Sequence, residues 1–221
     1  LEMVRTEGGM AYQTHPRTKG SKGYPDAIRE SEHFRDATYF GAGWKQMPAD
    51  MSSPRQGERS LKLLDDMSNW GLRKRLLAEV DVFQIDSTHE LYAHMNINYV
   101  RAPKLPSYDD YGQLLRTMER GEFFVSTGEV LMPEHRIVVA GERLEATAQV
   151  RHTFPLEFAE LVWGDGTGTH REVYPLTSTG SFGKQRVAFG ATAPGWQWAR
   201  LAVWDIAGNG AFANPVWKAR N

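Results

Sequence analysis

The sequence predicts an α/β portion followed by an all-β portion, and three observations carry that division. Strand and helix patterns alternate through residues 1–133. Beyond Pro133 the chain turns to short runs of alternating apolar and polar residues with no helical repeat. Asp-Gly and Asn-Gly chemistry at Gly164-Asp165-Gly166 and Ala207-Gly208-Asn209-Gly210 supplies the tight turns that antiparallel strands need. The expected architecture is an α/β sheet or barrel over 1–133 and an antiparallel β-sandwich over 134–221.

The elements follow in chain order. Gly8-Gly9 opens the apolar stretch 10–14, read as a buried strand, and His15-Pro16 closes it. Proline holds the residue before it extended and ends the strand, so His15 is expected at the strand's carboxy tip, where α/β proteins build their sites. A buried strand so near residue 1 implies structure upstream, and the expectation is the C-terminal portion of a larger enzyme. Residues 15–59, rich in Gly and Pro, read as one long irregular stretch with a short helix at 25–34; loops of that length usually serve a site.

Leu61, Leu64, Met67, Leu72 and Leu76 recur at helical intervals over 58–78, with a break expected at Asn69-Trp70-Gly71. Val80-Asp81-Val82-Phe83-Gln84-Ile85 alternates as a second strand and ends in Asp86-Ser87-Thr88-His89. Tyr108–Arg120 reads as a helix with Gly121 as its C-cap, and Phe123-Phe124-Val125-Ser126 as a third strand. In the second portion the runs 144–150, 158–163 and 200–204 read as strands.

The 221 residues suffice for one good-sized domain or two small ones. Twenty-six basic residues balance 27 acidic ones, which gives no electrostatic case for nucleic acid or a membrane surface as partner. No apolar run is long enough to span a bilayer. The absence of cysteine excludes disulfides, thiolate ligands and a cysteine nucleophile, and leaves the compartment open.

Of seven histidines, three stand out by position: His15 at the first strand's end, His89 three residues beyond Asp86, and His94. Imidazole and carboxylate groups on strand ends suit a divalent Zn, Mn or Fe ion, which acidifies a bound water and generates a nucleophile. Asp86 before Ser87-Thr88 equally fits an Asx or capping turn. His135, His152 and His170 read as surface or strand-packing residues. Arg17, Lys19 and Lys22 lie on a Gly-rich loop after His15, fit to hold an anionic or polar small molecule and equally readable as a solvated basic loop. Ser126-Thr127-Gly128-Glu129 can line a site or simply form a turn. Five tryptophans (163, 196, 198, 204 and 217) either build the sandwich core or form a stacking platform, and the latter carries the alternative reading: a non-catalytic β-sandwich module that recognises a glycan or a protein partner.

Gly8-Gly9-Met10-Ala11-Tyr12-Gln13-Thr14-His15-Pro16 resembles the Gly-Gly-hydrophobic-Ala-His-Pro strand of the polymerase and histidinol phosphatase (PHP) metallohydrolases. Asp86-Ser87-Thr88-His89 resembles their late Asp-x-His element, Gly121–Gly128 their closing strand, and Trp204–Val216 the end of the β domain of the CehA/McbA, carbaryl hydrolase-like branch. The resemblance implies the C-terminal part of a distorted (β/α)7 barrel, two or three divalent ions at the strand ends, and hydrolysis of a phosphoester, carbamate or carboxylic ester. It implies His15, Asp86 and His89 as metal ligands and Arg17 and Lys19 as substrate-binding groups. The sequence departs from the pattern twice. One extra residue separates Asp86 from His89, so that either the loop bulges or Ser87 takes the acidic position. The first-strand His-x-His occurs nowhere in the chain, and the resemblance assigns it to a preceding barrel half of the same polypeptide.

Overall fold

The computed structural model describes residues 1–14, 16–17, 24–45, 58–80, 86–88 and 96–219. In chain order these form α1 (Glu2–Thr6), β1 (Ala11–Gln13), a 3₁₀ turn (Asp26–Ile28), α2 (Glu32–Arg35), β2 (Tyr39–Lys45), α3 (Glu58–Asn69), β3 (Arg75–Glu79), β4 (Ile97–Val100), α4 (Gly112–Glu119) and β5 (Phe123–Ser126). There follow β6 (Val130–Ala140), β7 (Arg143–His152), β8 (Leu156–Gly164), β9 (Thr169–Pro175), β10 (Gly183–Thr192), β11 (Trp198–Asp205), β12 (Gly210–Ala213) and β13 (Val216–Trp217). The chain is β-rich, with antiparallel sheets in an arrangement compatible with a β-sandwich.

Three layers can be read from side-chain alternation. The outer sheet, β10-β7-β6, has one wet face: Leu144, Ala146, Ala148 and Val150 of β7 point inward, while Arg143, Glu145, Gln149 and Arg151 point out. The middle sheet runs β4-β5-β12-β11-β8-β9, with β13 also beside β11. Its central strands are buried on both faces, so every residue of β5, β11 and β12 is buried. Ala199, Leu201 and Val203 of β11 join the core shared with the outer sheet. Ala202 and Trp204 turn the other way, onto a second core with α3, β2 and β3. The third layer is therefore α3 with the parallel sheet β1-β2-β3.

Both longer helices end in a Schellman motif around a glycine at φ 76°. At α3, Gly71 N–H reaches the Ser68 carbonyl and Leu72 N–H the Met67 carbonyl, both at 3.0 Å; at α4, Gly121 and Glu122 repeat the pattern on Met118 and Thr117. The break expected at Asn69-Trp70-Gly71 is where α3 ends, but no second helical piece follows it to residue 78: Leu72 and Leu76 belong to the connection and to β3. Their helical spacing came from a helix and a strand that bury leucines against the same core. The strand expected over 80–85 lies outside the described residues from 81 onward; β3 precedes it.

The stretch 15–59 contains an element that sequence patterning missed. β2 pairs in parallel with both β1 and β3, although it carries Gly41 and Gly43. A Cβ at Gly41 would overlap the Arg75 backbone, and one at Gly43 the Glu79 carboxylate, so the two glycines are what lets β3 approach. The helix expected at 25–34 divides into the 3₁₀ turn and α2. β5 was expected as a third strand of the α/β unit. It instead lies antiparallel between β4 and β12 in the middle sheet, because its two faces feed both cores. Pro133 falls inside β6, at a register shift between Leu131 and Glu134.

Candidate functional site

The parallel strands β1, β2 and β3 send their carboxy ends in one direction, with Lys45 of β2 opposite Glu79 of β3. Thr14 lies one residue beyond β1. The Glu79 side chain crosses the bare backbone of Gly43. Its charge reaches Tyr12, whose hydroxyl is pushed above its ordinary value first by burial and second by Glu79. Asn96 closes this end: its Nδ2 donates to the Trp44 and Glu79 carbonyls, both at 3.1 Å. The Asn96 Oδ1 is buried and accepts no hydrogen bond from the described residues.

His15, Lys19, His89 and His94 lie outside the described residues. Arg17 sits at φ 57° with its guanidinium between two carboxylates. Nε and Nη2 form a fork on Asp26 at 2.9 and 2.5 Å, and Nη1 reaches Asp66 of α3 at 2.7 Å. Burial alone would lower its proton affinity, but the hydrogen bonds and charges of Asp26 and Asp66 outweigh this and raise it. Arg17 thereby fastens the segment after His15 to α3. Asp86 is exposed, and its Oδ1 accepts from the Thr88 backbone N–H at 2.8 Å and from the Thr88 hydroxyl. This is the Asx turn weighed above as one reading of that motif.

The remaining candidates resolve into structural roles. The Ser126 hydroxyl donates to the Val130 carbonyl and accepts from Gly128 N–H at 2.8 Å, which makes the 126–129 segment a turn. His152 packs inward with Nδ1 at 2.8 Å from the Phe154 carbonyl, and His135 Nδ1 lies 3.0 Å from that of Met132. His170 stacks on Trp163 and donates to Asp165 at 2.8 Å. Trp163, Trp196, Trp198 and Trp204 are buried, so they serve as core and offer no stacking platform. Among the described residues, no group of three or more His, Asp or Glu side chains converges as a metal cradle.

Sequence reasoning missed Glu79 and Asn96. The first fell before the expected strand and the second in an unassigned stretch; the Gly41-x-Gly43 pattern was the available sign that another strand and its carboxylate approach closely there. No family model, curated protein or solved structure matches the chain.

Proposed function

We propose that the chain is part of a metal-dependent hydrolase of the PHP superfamily, in the CehA/McbA branch, with residues 1–133 as the C-terminal part of a distorted (β/α)7 barrel. The supporting observation is the parallel β1-β2-β3 sheet, whose carboxy ends run toward the segments that carry the family-like motifs. His15 follows Thr14 at the end of β1, and Asp86 and His89 follow β3.

In this reading His15, Asp86 and His89 hold metal, and the first His-x-His comes from an earlier strand of the same polypeptide. The bound divalent ions, two or three of Zn, Mn or Fe, supply an acidified water able to attack a phosphoester, carbamate or carboxylic ester. Arg17, held by Asp26 and Asp66, keeps the loop after His15 in place, and Lys19 on that loop steadies negative charge developing on the substrate. Glu79 adds a carboxylate at the same end of the sheet.

The test is elemental analysis and turnover of the full-length polypeptide and its His15→Ala variant, screened on the three ester classes. Stoichiometric metal that falls in the variant together with turnover is the expected result. Metal content and turnover unchanged by the substitution would overturn the assignment of His15, and a well-folded polypeptide without metal would overturn the hydrolase reading.

A further inference from the structure

At the opposite end of the parallel sheet, the strand amino ends border a cleft of about 750 Å³. Gly8 and Gly9 precede β1 there, Tyr39 and Phe40 open β2, and Lys74 and Arg75 lead into β3. The volume is in the range of small-molecule sites. Its lining is unusual in charge: among the described residues, Arg5, Arg35, Arg73, Lys74 and Arg75 line it together with one acid, Glu119.

Two of the five cations are neutralised from the rim, Arg5 by Asp36 and Arg35 by Glu30. Arg73, Lys74 and Arg75 have no carboxylate at ion-pair distance among the described residues. Arg73 donates to the Lys218 carbonyl at 2.8 Å, and Lys74 to the Asp36 and Tyr39 carbonyls at 2.8 and 2.6 Å. Arg75 is nine-tenths buried, with its guanidinium 4.3 Å from the centroid of the Trp217 ring; Nη2 donates to the Glu119 carbonyl at 3.2 Å, while Nε and Nη1 have no acceptor among the described residues. A buried cation without a counter-charge is costly, and buried N–H groups without acceptors are rare. Burial pushes Lys74 down to about 8 against the opposing charge of Asp36, and burial together with the neighbouring charge of Arg73 pushes Arg75 down to about 10.

We propose that this cleft binds a phosphate group, as inorganic phosphate or on a small phosphomonoester. Glu119 is the one acid among the described lining residues, and the three cations without a carboxylate at ion-pair distance leave an excess matched to a dianion. Guanidinium forks such as Arg73 suit its oxygens. The balanced charge of the whole chain and the concavity of the site favour a small ligand over a nucleic acid.

The test is calorimetric titration of the whole chain with inorganic phosphate and with glycerol phosphate. Chloride at equal ionic strength is the control, and a chelator is present throughout so that a metal site cannot contribute. One-to-one saturable binding is expected, weakened about tenfold in Arg73→Ala, whose exposed side chain is not part of either core. Arg17→Ala, at the other end of the sheet, should bind as wild type. Tighter binding of glycerol phosphate would identify an organic phosphate as the ligand, and equal binding inorganic phosphate; either supports the site. Heats no different from chloride, undiminished binding in Arg73→Ala, or loss of binding in Arg17→Ala would overturn the proposal.

Discussion

The carboxamide of Asn214 takes the place of a neighbouring strand for Leu76: its Oδ1 accepts the Leu76 N–H at 2.8 Å and its Nδ2 donates to the Leu76 carbonyl at 3.2 Å. Asn98 does the same for Ala78, at 2.8 and 3.1 Å. Residues 76 and 78 point their backbone groups to the same side of β3, so two amides close the edge of the parallel sheet and fasten it to the middle sheet. Asn214 is free to do so because it lies in the break between β12 and β13, ahead of Pro215.

Truncating Asn214 leaves the buried Leu76 N–H and carbonyl unpaired, and truncating Asn98 does the same to the half-buried Ala78. Asn214→Ala should destabilise the chain by about 1–3 kcal/mol. Asn98→Ala should cost less, since its surroundings are only half-buried. Chemical denaturation checks both; equal stability of Asn214→Ala and wild type would show that water replaces the amide.

A second connection between layers is ionic. Arg200 of β11 grips Asp65 of α3 through Nε and Nη2 at 2.5 and 2.7 Å. Glu160 of β8 lies beside the pair, accepting from Trp204 at 3.0 Å and from Arg171 at 2.5 Å. Removing Asp65 takes away the forked partner of the buried guanidinium and leaves it the looser contact with Glu160 at 3.6 Å. Asp65→Leu should cost about 3–5 kcal/mol, and Asp65→Leu with Arg200→Met should recover much of it. A double-mutant cycle on denaturation midpoints measures the difference.

The two glycines of β2 should not tolerate alanine equally. At Gly41 the added methyl meets the Arg75 backbone, which cannot rotate away; at Gly43 it meets the Glu79 carboxylate, which can. Gly41→Ala is expected to cost more than the roughly 1–3 kcal/mol usual for overpacking, and Gly43→Ala less than Gly41→Ala. Thermal melts of the two variants give the order.

Lys74 gives the chain an unusual pH response. Burial lowers it from its ordinary 10.5 to about 8 in the folded state. Between those values the unfolded chain holds the proton and the folded chain has released it, so stability from this group rises with pH across that window. Tyr39, pushed up to about 12 by burial, acts in the opposite sense above pH 10. Denaturation midpoints at pH 7.5 to 10 should show the rise in wild type and lose it in Lys74→Met.

Much of the local structure was legible. Gly121 marks the end of α4, Phe123–Ser126 is a strand, and the turn chemistry at Asp165-Gly166 and Asn209-Gly210 separates strands of the all-β portion. These features rest on neighbours within a few residues, where capping, turn preference and alternation act. The candidate site was legible only in part. Asp86 as a turn former and Arg17 as a basic group were visible, but the two carboxylates that hold Arg17, and Glu79 lying across Gly43, come from other elements.

The sequence by itself determined which residues are apolar, where glycine caps and tight turns fall, and that positive and negative charge balance. Tertiary structure alone decided that β5 joins an antiparallel sheet, that the central strands of the middle sheet are buried on both faces, and that Gly41 and Gly43 belong to a strand. The physical reason is range. Caps and turns are satisfied by atoms nearby in the chain, whereas sheet membership is set by hydrogen bonds and burial between residues far apart, such as Leu76 and Asn214.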